Sequence, residues 1–297
     1  MRRMPMVWTL LTLAVLIGLA AARDGKPNAK APETAAAARK VKQVIGHQGS
    51  CGDRPSNTLA SYRRAIEAGA SVGETDVRTT KDNELVCCHD ADLARTTDGK
   101  GLIRDRTLAE IKKLDAGSWF DAKYKGERIP TLREVLQLCK GKMRVMLDLK
   151  ESGAKYAKRI TAEVRKHGEA KEIVLGIRGV EQARLFRALL PEAQQIGLIP
   201  RIDDIEAFAR AGVETIRLWP DWLKDPSLVP RVRKGKCHLH LHAPKGTKKE
   251  VLALLPYEPE SLSSDDPGRL LRTLADIKKA QARERGGQES ERLLPHQ

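Results

Sequence analysis

The chain has 297 residues, a hydrophobic fraction of 41%, aromatics of only 4% and a formal net charge of +15. That length and apolar content support one large domain with an aliphatic core, and exclude a disordered or collagen-like chain. The basic balance favours anionic partners such as phosphates or an anionic lipid surface. No basic cluster is interleaved with aromatics and no nucleic-acid module is present, so the charge does not point to DNA or RNA.

Residues 1–22 read as a signal peptide: a basic "MRRMPM", the apolar "VWTLLTLAVLIGLA" and a small-residue cleavage site at Ala20-Ala21-Ala22. The apolar stretch falls short of the roughly 20 residues of a spanning helix. Export after cleavage, to a periplasm or to the outside, is therefore expected. Residues 23–40 lack apolar periodicity and read as a flexible linker. The five cysteines, Cys51, Cys87, Cys88, Cys139 and Cys237, are too few and too odd in number for a disulfide scaffold. One bridge from Cys51 to Cys87 or Cys88 is the pairing to test; the others read as small buried hydrophobes.

From residue 41 to about 275 strand-like and helix-like segments alternate. "VKQVIGH" is followed by the helix "NTLASYRRAIEAG", capped by Asn57 or Thr58 and stopped by Gly69. "SVGETDVRT" and "ELVCCHD" are two strands in succession, and residues 90–130 form an irregular insert with one small helix. "TLREVLQLCKG" and "MRVMLDLK" resume the alternation, which continues through "EIVLGIRG", "QQIGLI" and "VETIRLW" to "CHLHLHA". Eight strands mostly separated by helices predict a (β/α)₈ TIM barrel with a small insert after strand three. An open doubly wound sheet is the alternative, weakened by the lack of a G-x-G-x-x-G turn. Residues 276–297 read as a charged, frayed tail.

In such a barrel the chemistry collects at the C-terminal strand ends. His47 ends the first strand and His89 the third. Glu74 and Asp76 on the second strand lie two apart and share a face, as do Asp148 and Lys150 on the fourth. Barrel strands are covered on both sides, so carboxylates there need a partner or a metal. An all-carboxylate set of Glu74, Asp76 and Asp148 suits a hard cation, Mg²⁺ or Ca²⁺. Flanked by His47 and His89, it suits phosphodiester cleavage, with one imidazole taking a proton and the other giving one. Lys150 adds positive charge for the phosphate.

These segments resemble the glycerophosphodiester phosphodiesterase family. The likeness runs from "VIGH" through "ETDVRTTKDNELVCCHDADLARTTDGKG", "TLAEIKKLDAGSWF" and "ERIPTLREVL" to "MLDLK", over roughly residues 43–151, and "SLSSDDPGRLL" is similar to the family's closing strand and turn. The resemblance implies a (β/α)₈ barrel and a glycerophosphodiester substrate cleaved to glycerol phosphate and an alcohol. It also implies His47 and His89 as the acid–base pair, a divalent cation on Glu74, Asp76 and Asp148, and Lys150 on the phosphate. Three positions depart from the family's pattern: Gln48 where it has Arg, Ser56 where it has Glu, and Asp148 where it has Glu. Glutamine cannot reproduce a permanently charged bidentate contact. Gln48 and Arg54 are thus the substrate-side residues of the first loop, and Arg54, Arg78, Arg178 and Arg217 are candidates to replace the missing charge. His238, His240 and His242 share one face of "HLHLH" and are either additional ligands, part of a changed pocket, or outward-facing. A pseudoenzyme that binds phosphodiesters or lipid headgroups, and a phospholipase acting on intact or lysophospholipid, are the alternative functions.

Overall fold

The computed structural model describes residues 31–292. The expected leader, the first part of the expected linker and residues 293–297 of the tail lie outside the described residues. Eight parallel strands close into a barrel: β1 (Gln43–Gly46), β2 (Val72–Thr79), β4 (Arg144–Leu149), β5 (Ile173–Ile177), β6 (Gln194–Gly197), β7 (Thr215–Arg217), β8 (His238–His242) and β9 (Ser261–Ser264). Pairing of β1 with both β9 and β2 completes the ring. The helices following these strands are α2 (Leu59–Ala68), α4 (Leu132–Cys139), α5 (Ala154–His167), α6 (Val180–Leu189), α7 (Ile205–Arg210), α8 (Leu228–Lys234), α9 (Lys248–Leu254) and α10 (Pro267–Arg292).

The eight staves are not the eight read from the sequence. β3 (Leu85–Cys87) pairs antiparallel with the end of β2 and stands outside the ring. The closing stave is β9, between β8 and β1. The link from β2 to β3 spans only residues 80–84, far too short for a parallel crossover of a dozen residues or more. Between β3 and α4 the chain holds α3 (Leu108–Ile111), and Val86, Cys88, Leu93, Ile103, Ile111, Ala116 and Ile129 pack into a small core of their own.

The expected linker also needs correcting. From residue 31 it is a helix, α1 (Ala31–Lys40), whose Ala35, Ala37 and Ala38 are buried. Alanine is the best helix former, and its short side chain lets α1 lie close on α10. α10 likewise runs through the boundary expected at residue 276, with Ile277 buried. Among the described residues no helix is long and apolar enough to cross a membrane. All five cysteines are free, so the candidate bridge from Cys51 to Cys87 or Cys88 is not formed: Cys87 and Cys88 are buried beside β2, while Cys51 faces His47.

The two-residue period of the strands sorts the side chains. On β4, Val145, Leu147 and Leu149 enter the outer core against the helices, and Met146 joins Ile45, Val72, Val174, Ile196 and Leu198 inside the barrel. On β2 the inward set is Val72, Glu74 and Asp76. Register then places Asp76 directly opposite Asp148. On β8, Leu239 and Leu241 enter the outer core, so the three histidines face the lumen.

Candidate active site

The first loop is built around two glycines. A Cβ on Gly46 would fall 2.0 Å from the Gly49 carbonyl oxygen, and one on Gly49, whose φ is +83°, would fall 2.4 Å from Ser61 Oγ. Only glycine permits so tight a turn from β1 into α2. Thr58 caps α2 by accepting from Ser61 N, which leaves Asn57 for another task. At φ +57° it turns inward and donates from Nδ2 to Asp76 Oδ2 at 2.7 Å. Its Oδ1 accepts from Asp76 N and from the fully buried Tyr62 hydroxyl at 2.9 Å. Tyr62→Phe should lower stability by about 1 kcal/mol, read as a shift of the urea midpoint, because Asn57 Oδ1 keeps its other donors.

Glu74, Asp76 and Asp148 are all buried, and their carboxylate oxygens lie within 4.8 Å of one another. Glu74 Oε2 accepts from Gln48 N at 2.7 Å. Lys150 Nζ bridges the other two, 2.8 Å from Asp76 Oδ1 and 2.6 Å from Asp148 Oδ2. Arg178 donates from Nε and Nη2 to both Asp148 oxygens, at 3.0 and 2.6 Å. Burial alone would raise Asp148, but Arg178 and Lys150 hold it below its ordinary value. Glu74 has no such cation. Burial, then the Asp76 charge, push it up to about 8, against a smaller opposing pull from His47.

A divalent cation fits this cluster. The donors are hard carboxylate oxygens on two adjacent strands, and Asp76 Oδ1 is buried in an ion-pair contact with Lys150 and has no directed hydrogen bond among the described residues. Glu74, Asp76 and Asp148 are the residues that would hold it.

His47 lies beside the cluster at the end of β1. Its Nδ1 is hydrogen-bonded to Asp265 Oδ1 at 2.7 Å, just past β9, and its Nε2 has no hydrogen bond among the described residues. Burial works to lower the imidazole, but the bonds to Asp265 and Cys51 and the Glu74 charge outweigh it and raise it to about 11. His89 follows β3 on a more exposed stretch, 45% accessible, with Nδ1 bonded to Asp90 Oδ1 at 2.7 Å. Asp90 is paired in turn with Arg95, and Arg78 donates to the His89 carbonyl.

The remaining expected residues separate. Gln48 is only 6% exposed and donates from Nε2 to Asp76 Oδ2 at 3.0 Å, so it braces a carboxylate and does not reach outward. Arg54 turns away from the cluster, donating to the Asp53 carbonyl and lying over the Tyr124 ring. Ser56 lines a crevice of about 10 Å³ beside His89, room for about one water. Of the arginines, Arg178 reaches the cluster and Arg217 is half-buried, its guanidinium 3.9 Å from the Trp219 ring centroid and its buried Nε without a hydrogen-bond partner among the described residues. His240 is sealed between the Ser261 and Ser263 hydroxyls, where burial holds it neutral. Asp265 and His242 sit against His47; His242 is one of the three β8 histidines named as possible ligands, whereas Asp265 was not singled out by sequence. "SSDDP" contains Asp265, but nothing local tied it to a histidine 218 residues away.

A closed parallel barrel with carboxylates, a lysine and a braced histidine at the C-terminal strand ends defines an enzyme of the TIM-barrel class. The family model described as "Glycerophosphoryl diester phosphodiesterase family" matches residues 47–184. The chain is 32% identical over 234 residues to a glycerophosphodiester phosphodiesterase of Caldanaerobacter subterraneus subsp. tengcongensis, covering 77% of this chain and 96% of that one. A Bacillus subtilis glycerophosphodiester phosphodiesterase is 45% identical over 101 residues, 31% of this chain and 34% of the relative. Among solved structures, a phosphodiesterase of Oleispira antarctica in complex with the product sn-glycerol-3-phosphate superposes with a TM-score of 0.72 at 27% identity, over 80% of this chain and 99% of that one. The chain belongs to the glycerophosphoryl diester phosphodiesterase family and is, like its relatives, a phosphoric diester hydrolase.

Proposed function

We propose that the protein hydrolyses glycerophosphodiesters to glycerol phosphate and an alcohol, with Mg²⁺ or Ca²⁺ on Glu74, Asp76 and Asp148 and with His47 and His89 as the proton-transfer pair. The observation that carries this reading is the buried carboxylate triad on β2 and β4 beside an Asp265-braced His47. A bound divalent cation would neutralise the phosphoryl oxygens. Asp265 favours the protonated form of His47, which suits it to deliver a proton to the leaving oxygen from Nε2. His89, oriented by Asp90, is suited to take one from the attacking hydroxyl. Arg178, 43% exposed, supplies at the mouth the guanidinium that Gln48 does not. Arg217 Nε adds an unsatisfied donor for an anion. The protein is proposed to act outside the cytoplasm, on the strength of its leader sequence.

The test is incubation with glycerophosphocholine in Mg²⁺, Ca²⁺ and EDTA, with lysophosphatidylcholine as a parallel substrate. Glycerol phosphate released only with the cation is the expected result. Cleavage of the lysolipid alone would move the activity to a phospholipase. Binding of the diester without any product would make the chain a pseudoenzyme.

A further inference from the structure

A second set of donor atoms converges at the rim between β1, β8 and β9, separate from the carboxylate triad. Asp265 Oδ1 lies 2.7 Å from His47 Nδ1 and 3.8 Å from His242 Nε2. The two imidazoles stand edge to face with centroids 5.3 Å apart. Each of the three residues offers a ligand atom within 4.8 Å of the other two. Cys51 Sγ is 3.5 Å from the same His47 Nδ1.

The chemistry of this set differs from that of the triad. Two imidazole nitrogens and one carboxylate oxygen, with a thiol against one of the imidazoles, form a borderline-soft donor set of the kind Zn²⁺ takes, unlike the all-oxygen sets of Mg²⁺ and Ca²⁺. The supporting contacts are in place as well. His242 Nδ1 is bonded to Ser263 Oγ at 2.9 Å, which fixes the ring with Nε2 toward Asp265. All three ligand residues are partly exposed, Asp265 and His47 more than His242, so an ion can reach them from solvent.

We propose that His47, His242 and Asp265 form a site for a transition-metal cation of the Zn²⁺ class, and that filling it removes His47 from catalysis. The ion takes the lone pair of Nδ1 and displaces the proton that lies between His47 and Asp265, releasing it to solvent. Nε2 then keeps its own hydrogen, because losing it would leave an imidazolate. The ring can neither accept a proton nor readily give one. The inhibitory half of this proposal rests on the acid–base role proposed for His47; the binding half does not.

Co²⁺ is the probe, because a tetrahedral set containing nitrogen or sulfur gives intense visible bands and a six-coordinate oxygen set gives weak ones. The purified, reduced protein, held in saturating Mg²⁺, is titrated with Co²⁺ and then with Zn²⁺ as competitor. Strong bands in the wild type, displaced by Zn²⁺, are expected. His242→Ala should weaken Co²⁺ binding at least about 100-fold, the upper end of what even a non-ligating neighbour costs. His242→Asn, which keeps a polar group for Ser263, should do the same, with thermal melts confirming that both variants fold. Glu74→Gln should leave the bands in place. A weak six-coordinate spectrum in the wild type, or strong bands that survive both His242 substitutions, would overturn the site. In the diester assay Zn²⁺ should slow the wild type at concentrations that leave the His242 variants' own rates unchanged. Equal Zn²⁺ sensitivity in wild type and variants would overturn the inhibitory half. A protein that never cleaves the diester defeats the activity reading alone, since the Co²⁺ spectrum decides the site without turnover.

Discussion

Replacing His47 with alanine should lower glycerophosphodiester turnover about 10²–10⁴-fold, the range a positioned acid or base supplies, with little change in melting temperature. The side chain is half-exposed and belongs to no apolar cluster, so its loss opens no cavity. What it removes is an imidazole that feels the Glu74 charge and is locked by a carboxylate behind it. Because the proton transfer belongs to the transition state, kcat should fall with KM nearly constant. His89→Ala should fall in the same range, and the double variant should fall by less than the product of the two, as groups acting on one step do. Asp265→Asn provides a separate readout. It keeps a polar partner on Nδ1 but removes the charge that favours imidazolium, so the alkaline limb of the kcat profile should move to lower pH. A His47→Ala protein within about tenfold of wild type would assign the proton to another group.

The parts of this site that could be read in the sequence are those set by local periodicity. Glu74-x-Asp76 and Asp148-x-Lys150 place their charges on one face because a strand repeats every two residues, and a shared register brings the two pairs side by side. The parts that could not be read depend on closure of the ring. Asp265 and His242 meet His47 only because β9 pairs with both β8 and β1. β9 itself is "SLSS", with no β-branched or aromatic residue to announce a strand, and only its likeness to the family's closing strand and turn marked it. Its serines earn their place by facing His240 and His242, a contact that spans 21 to 23 residues. The opposite error, counting Leu85–Cys87 as a stave, came from composition, although the five-residue link before it already required an antiparallel pair. The alanines of α1 carry no sequence signal because an alanine stripe shows little apolar contrast; its reason to fold is the surface offered by α10 and the turn at residues 255–257.

Without a divalent cation, the protein should lose stability as the pH rises from about 4.5 to about 8. Glu74 carries the effect. Buried and beside the Asp76 and Asp148 charges, it holds its proton in the folded state up to about 8, whereas an ordinary glutamate ionises near 4.5. Between those values the unfolded chain binds fewer protons than the native one, so unfolding becomes progressively easier with pH. The contribution is fully present below pH 4.5 and gone above 8, and is on the order of a few kcal/mol across the window. Other groups titrate there too. His242, which burial and the His47 charge hold down to about 4, contributes with the opposite sign between 4 and 6.5. The quantity to measure is therefore the difference between wild type and Glu74→Gln, by urea denaturation at pH 5, 6, 7 and 8 in EDTA. The wild-type curve should fall relative to the variant's. Saturating Mg²⁺ or Ca²⁺ should abolish the slope, because a cation on the triad favours the ionised carboxylate, and calorimetry in two buffers should show close to one proton released per ion bound near pH 6.5. Parallel curves in EDTA would mean that Glu74 is ionised in the empty site, with Lys150, Arg178 and the protonated His47 together balancing all three carboxylates. A cation would then have little charge left to balance, and the metal-assisted reading of this cluster would lose its electrostatic basis.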